Sequence, residues 1–329
     1  MSDEGHQGGR TLTVLLALAA NFGVGVLKLI AGLITGSGAL MSEAAHSVGD
    51  CATELLLLLA LRRSERPADR IHPFGYGKER YFWSLLAAGA IFVSGAAFSV
   101  YQGLHTILGG SESESSKLWM NYPVLALAFV LEGASFLQAM RQARTQARRA
   151  ERSMLSLVRD PEDPTVNSVA MEDSAALIGL LLAGLGVALH QLTGSVVWDG
   201  LASLSIGVLL LGVAYVLAHA CQELLIGKQA SPRLLEAIEQ RLEAEDEIVD
   251  VVDILTMLTG TGRVLLCIRA DFVNEVSAGE LEDACARIDA DLRATFVELD
   301  EIFIQPVSRG NEDMRDRVQA RYGRVLADQ

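Results

Sequence analysis

Histidine and cysteine, side chains that most often build metal sites and redox centres, are scarce here: six and four in 329 residues. Cys51, Cys221, Cys267 and Cys285 form no CxxC pair. That excludes a zinc knuckle and leaves free thiols as the expectation. No histidine follows His219. Basic charge is also in deficit, with 27 Lys and Arg against 41 Asp and Glu and a net charge of −14. From Gln229 onward there are 22 acidic and 11 basic residues, which argues against nucleic-acid binding by that part. Met1–Gly9 is polar, contains Asp3 and Glu4 and lacks the basic start of a cleaved signal peptide. What the chain has in quantity is apolar side chain: half of it is hydrophobic and the mean hydropathy is +0.31, values expected of a membrane protein.

Apolar runs recur at 12–34, 38–61, 81–108, 118–140, 166–192 and 196–226. Each reaches the roughly 20 residues a spanning helix needs, so six crossings are expected. Glycines at 32, 36, 89, 95, 179, 184, 186, 207 and 212 would let these helices approach closely. The second connection carries Arg62, Arg63, Arg66, Arg70, Lys78 and Arg80, and the fourth six arginines between Arg141 and Arg159; the third and fifth carry almost no basic charge. By the positive-inside tendency both chain ends should lie in the cytoplasm.

After Gly227 the pattern becomes that of a soluble domain. A helix started by Pro232 runs to about Leu242. Strands are expected near Ile248–Leu258 and Arg263–Phe272, a helix over Ala278–Thr295, and a strand over Glu298–Val307. This αββαβ order would make a small cytoplasmic α+β domain, ferredoxin-like in plan. The fold class is therefore an all-α six-helix membrane bundle plus that domain. The expected divisions are a cytoplasmic tail at 1–10, the membrane domain at 11–227, a metallochaperone-like dimerisation domain at 228–308 and a charged tail at 309–329.

The ionisable residues inside the apolar runs carry the functional signal. His46 and Asp50 are four apart, so a helix points an imidazole and a carboxylate the same way. A mid-membrane Asp costs roughly 2.5–3.5 kcal/mol, tolerated where it faces other helices, water or an ion. Glu43 and Glu54 extend the same stripe. In the fifth run Glu172 and Asp173 are adjacent. If spans two and five face each other, His46, Asp50 and Asp173 supply three ligands, one short of a tetrahedral site. Glu172, Asn21 or a water are candidates for the fourth. Imidazole with carboxylates fits Zn, Mn, Fe(II) or Co better than Cu(I) or Mg. Lys28 is expected to snorkel to the outer face. Glu132, without a partner at helical spacing, reads either as a proton carrier or as a group bonded to a neighbouring helix. In the second connection Asp69 and His72 could bind a metal, but the Gly and Pro content favours a structural loop.

Asn21, Lys28, Gly36-Ser37, the stretch Glu43 to Asp50, Arg66 to Asp69 and His72 to Glu79 together resemble the cation diffusion facilitator family. With the six runs and the αββαβ order, the resemblance extends from about Thr11 to Val307. It implies a homodimer that exchanges divalent metal for protons through a four-ligand site on spans two and five. His46 and Asp50 match the second-span pair, and Asp173 matches the second ligand of span five. Val169 stands where the family usually has a His or Asp, which makes Glu172 the substitute. Asp69 and His72 match a loop site of some members, although Tyr76 replaces a histidine there. Several members bind zinc through histidines in the cytoplasmic domain; here dimerisation without such a site is expected.

These readings converge on a proton-coupled antiporter that exports zinc, or Mn, Fe(II) or Co, by alternating access in an inner cell membrane. It would be a transporter rather than an enzyme. Its partners would be the metal, protons, lipid and a second copy of the chain, with no cofactor besides the cargo and no nucleic acid. The rivals are a membrane metalloenzyme, since three ligands and an open position is the catalytic zinc pattern, and a non-transporting metal sensor or scaffold.

Overall fold

The structure, a computed structural model, describes residues 4–109, 115–149, 164–308 and 310–322, and for some stretches, among them 4–17 and 164–170, only the backbone. The chain divides into two units: residues 1–62 with 80–222, and residues 63–79 with 223–329.

Among the described residues, the helices that make up most of the first unit are α1 (Glu4–Thr35), α2 (Gly38–Ser64), α3 (Glu79–Gly109), α4 (Asn121–Arg149), α5 (Pro164–Thr193) and α6 (Val197–Ile226), the last turn of α6 belonging to the second. The last five contain stretches long and apolar enough to cross a membrane. On α1 the apolar helix over described side chains, Asn21–Thr35, is shorter than a span. The unit buries a set of ionisable side chains within an apolar core that includes Leu40, Ile91, Ile206 and Leu210, and it also presents apolar side chains outward. Lys28, Glu43, His46 and Glu172 are buried, while Leu33, Val93, Val130, Leu181, Val208 and Tyr215 stand out from the helix surfaces. A solvent of lipid tails favours this distribution.

Two local devices position the helices. Gly36 takes a left-handed backbone (φ 67°), which turns the chain tightly from α1 into α2. Asp199, near the start of α6, then caps α2: its carboxylate accepts from the Ser37 hydroxyl at 2.7 Å and from the Gly38 and Ala39 amides. In α3 the backbone widens into a π-helical stretch over Ile91–Ala97, where the Ser94 hydroxyl bonds back to the Ala90 carbonyl at 2.6 Å.

The second unit contains α7 (Pro232–Glu243), β1 (Ile248–Gly260), β2 (Arg263–Phe272), α8 (Ala278–Thr295), β3 (Leu299–Pro306) and α9 (Glu312–Tyr322). The αββαβ order is as expected. The strands form one sheet in the order β1-β2-β3, with β1 and β2 antiparallel and β2 and β3 parallel. The parallel pair needs a crossover, and α8 supplies it. Its start is fixed by a reciprocal cap between Ser277 and Glu280. Along β2 burial alternates, so Val264, Leu266, Ile268, Ala270 and Phe272 face inward. They share the core with Ile238 and Leu242 of α7 and Ala284, Ile288 and Leu292 of α8. The charged tail is partly helical: α9 buries Val318, and Arg321 reaches the buried Asp253 of β1 at 3.4 Å.

The second connection does not stand alone. Residues 63–79 belong to the sheet-containing unit, where Gly77 lies against the backbone of Thr259 and Gly260 at the tip of the β1–β2 hairpin. Asp69 orders this segment: it accepts from the amides of Ile71 and His72 at 2.9 and 2.7 Å and from the Tyr76 hydroxyl at 2.7 Å.

Candidate functional site

Five ionisable residues of the first unit gather around a cavity of about 80 Å³ between α1, α2, α4 and α5. Its wall carries Asp50 and Glu54 of α2, Glu132 of α4, and Glu172 and Asp173 of α5, with Asn21, Ser47, Thr53 and Ser135 between them. Helical spacing explains the wall. Asp50 and Glu54 are one turn apart on α2, and Glu132 and Ser135 are three apart on α4, so each pair shares a face. Small neighbours such as Ala176 keep the space open.

Hydrogen bonds stitch this wall across helices. Asn21 donates to Glu54 Oε1 at 2.6 Å, and Ser135 donates to Asp173 Oδ2 at 3.1 Å. Asp50 and Glu54 of α2 share the cavity wall with Glu172 and Asp173 of α5, and the Glu43 carboxylate of α2 lies against Gly179 of α5. Spans two and five therefore do face each other, as the sequence reading required.

The expected ligands are brought together unequally. Asp50, Glu172, Asp173 and Asn21 line the cavity. His46 is buried with its Nδ1 3.3 Å from Asp50 Oδ1, yet it is not part of the cavity wall. Neither of its ring nitrogens is hydrogen-bonded among the described residues. Among these residues no group of three or more His, Cys, Asp and Glu is arranged to hold a metal ion. The side chain of Val169 is outside the described ones. What the geometry shows is an acidic, oxygen-lined chamber with an imidazole beside it.

Lys28 departs from the snorkelling expectation. It is fully buried, and its ammonium donates to Glu132 Oε1 at 2.7 Å and to Glu43 Oε2 and Ser47 Oγ, both at 3.1 Å. Glu132 thereby acquires the partner on another helix that its own helix could not supply. Glu43 fills the space beside Gly179 on α5, where a side chain would collide with its carboxylate. The pattern of one helix cannot reveal this cluster, because Lys28 and Glu132 are 104 residues apart.

The loop residues read differently. Three donors occupy the Asp69 carboxylate, hold it below the ordinary aspartate range and use its oxygens to shape the turn. His72 stacks at an angle on Tyr76, with ring centres 4.3 Å apart. In this structure the Asp69 carboxylate serves the turn of the loop.

Comparison with known proteins agrees with this arrangement. Residues 14–226 match the cation efflux transmembrane domain. The mitochondrial proton-coupled zinc antiporter SLC30A9 of Xenopus laevis is 35% identical over 80% of this chain and 47% of its own length. The human counterpart is 33% identical over 80% of the chain and 46% of its own length, so the chain spans about half of these relatives. The manganese efflux system protein MneP of Bacillus subtilis is 24% identical over 92% of the chain and 97% of its own length. The motif residues, the cavity they form and the match over the whole helical unit place this chain in the cation diffusion facilitator family.

Proposed function

We propose that this protein is a proton-coupled antiporter that carries divalent transition-metal ions out of the cytoplasm, with zinc as the first cargo. The observation that carries the reading is the chamber itself. Five carboxyl groups, those of Asp50, Glu54, Glu132, Glu172 and Asp173, line one cavity inside a unit whose outer surface is apolar. Groups so costly to bury are accounted for by a cation that crosses there.

Exchange with protons follows from the same chemistry. A metal requires ionised carboxylates and a neutral imidazole, so protons and metal compete for the same atoms. Protons arriving from one side displace the ion, and metal arriving from the other displaces the protons. His46, beside Asp50, joins the ligand set when the helices shift by part of a turn. Alternating access would then be rocking of the helices around a fixed chamber.

Six crossings with both chain ends in the cytoplasm, a bacterial inner membrane, and a homodimer joined through the sheet-containing unit complete the proposal. Manganese is the second reading of the cargo. It is favoured by a cavity wall whose polar atoms come almost wholly from oxygen groups, which suit harder ions, and by the near full-length match to a manganese efflux protein.

The deciding experiment is metal flux into proteoliposomes of the purified protein, with and without an opposing pH gradient, for Zn, Mn, Fe(II), Co and Cd. Gradient-stimulated flux that falls about 100-fold or more in Asp50→Ala, a loss on the scale of removing a metal ligand or its support, is the expected result. Flux of no ion in the wild type would overturn the transport reading and favour a sensor or scaffold.

A further inference from the structure

We propose that Lys28 is the counter-ion of the acidic chamber: a tethered ammonium that releases Glu132 to the arriving metal and takes it back when the metal leaves. This rests on the transport reading above and adds to it a positioning residue outside the expected ligand set.

Two carboxylates hold Lys28. They are not equivalent. Glu43 is fully buried, takes no part in the cavity wall and is wedged against Gly179 of α5. Glu132 lines the cavity. One of its oxygens, Oε1, accepts from Lys28 at 2.7 Å, while the described residues offer Oε2 no hydrogen-bond partner. Oε1 of Glu43 likewise has no hydrogen-bond partner among the described residues, but it is packed against Gly179, whereas the second oxygen of Glu132 belongs to a group that lines the acidic chamber. A buried acceptor without a partner is costly, and a site that keeps one has a use for it.

The ammonium itself is fully used. Its three protons go to Glu43, Ser47 and Glu132, on α2 and α4, so Lys28 of α1 ties three helices together. When a divalent cation enters, Glu132 can turn its carboxylate toward the larger charge. Lys28 keeps Glu43 and Ser47, so it is not left bare. When the metal departs, the ammonium reclaims Glu132 and limits the negative charge left behind. The device lowers resting affinity and eases release, because the metal must compete with a cation that never leaves the protein.

An ordinary structural ion pair and a lent carboxylate make different demands on the two partners. Removing either member of a structural bridge damages the same fold, and metal affinity moves in one direction or not at all. If Glu132 is lent, Lys28→Met frees it for the metal and tightens binding, whereas Glu132→Gln deprives the metal of an oxygen and weakens binding. The signs are opposite.

The test measures Zn(II) and Mn(II) binding to full-length protein in detergent by calorimetry at one pH, with elution volume as the check on assembly. Expected are affinity raised about fivefold in Lys28→Met, lowered about fivefold in Glu132→Gln, and near wild type in Lys28→Arg, as loss or retention of one nearby charge implies. In proteoliposomes at saturating metal, Lys28→Met should turn over more slowly, since release is retarded. Shifts of the same sign, or none, would overturn the proposal and leave Lys28 as a bolt between helices. Should Lys28→Met fail to assemble, Glu132→Gln decides, and unchanged affinity there overturns it. A wild type that binds neither metal refutes the transport reading itself, a result distinct from wrong signs in the variants.

Discussion

At the scale of single residues, what a side chain does here is set by partners that lie far along the chain. His46, Asp50, Glu172 and Asp173 were legible because charge in an apolar run announces itself, and spacing placed the first two on one face. Lys28 was not. Snorkelling is a sound expectation for a basic residue on an isolated helix, but Glu43 and Glu132, 15 and 104 residues away, hold its ammonium inside. Asp69 illustrates the reverse case, in which neighbours seven residues or fewer away account for the whole role. Its carboxylate is held below the ordinary range, first by the Tyr76 hydroxyl and then by the His72 amide. A depressed carboxylate contributes stability above its unfolded pKa and loses it as pH falls through its folded one. The loop should therefore keep its turn at neutral pH and loosen only in acid. Tyr76→Phe removes the largest of these influences, so NMR titration should find the Asp69 midpoint moved upward, and an unmoved midpoint would contradict the geometry.

At the scale of elements, five of the six expected spans and the αββαβ order are found, because periods and caps are local. Which glycines serve packing was less legible. Gly95, Gly186 and Gly207 sit where a side chain would strike the neighbouring helix, whereas Gly89 and Gly212 have nothing within 4 Å of where a Cβ would stand. A one-dimensional pattern cannot say which side of a helix meets protein and which meets lipid. One close seam joins α3 and α6. A Cβ on Gly103 would lie 2.8 Å from the Gly200 carbonyl oxygen, one on Gly200 3.0 Å from the Gly103 carbonyl oxygen, and one on Gly207 3.0 Å from the Val100 amide. Backbone cannot yield as a flexible side chain can. Gly103→Ala should thus destabilise by about 1–3 kcal/mol, the usual cost of overpacking. Gly89→Ala and Gly212→Ala should be neutral or slightly stabilising, since alanine favours the helix. Thermal unfolding of the detergent-solubilised variants separates the two classes, and equal melting temperatures would show that the seam is not close-packed.

At the scale of the whole molecule, the division into units does not follow the chain, and this is where reading in order misled most. The connection between α2 and α3 has the look of an exposed cytoplasmic loop, yet it is part of the sheet-containing unit. A Cβ on Gly77 would lie 2.8 Å from the Gly260 α-carbon, and Lys78 donates to the Leu225 carbonyl at 3.4 Å, within that same unit. No soluble fragment beginning near residue 223 can therefore be complete. It would lack the segment that covers the hairpin tip, including the partner surface for Thr259 and Gly260. Local stability follows burial and contact, so the loss should be felt there first. Hydrogen exchange of a 223–329 fragment against the full chain should show faster exchange at 258–264, with little change along α8, whose core contacts with Ile238 and Leu242 are retained. Gly77→Ala in the full chain should reproduce part of that exposure, because the added carbon pushes the segment from the hairpin. Since 63–79 is covalently continuous with α2, which carries His46 and Asp50, the transport proposed above should also be slowed by the same displacement. Faster exchange at the tip without slower flux would confine the segment to a structural role.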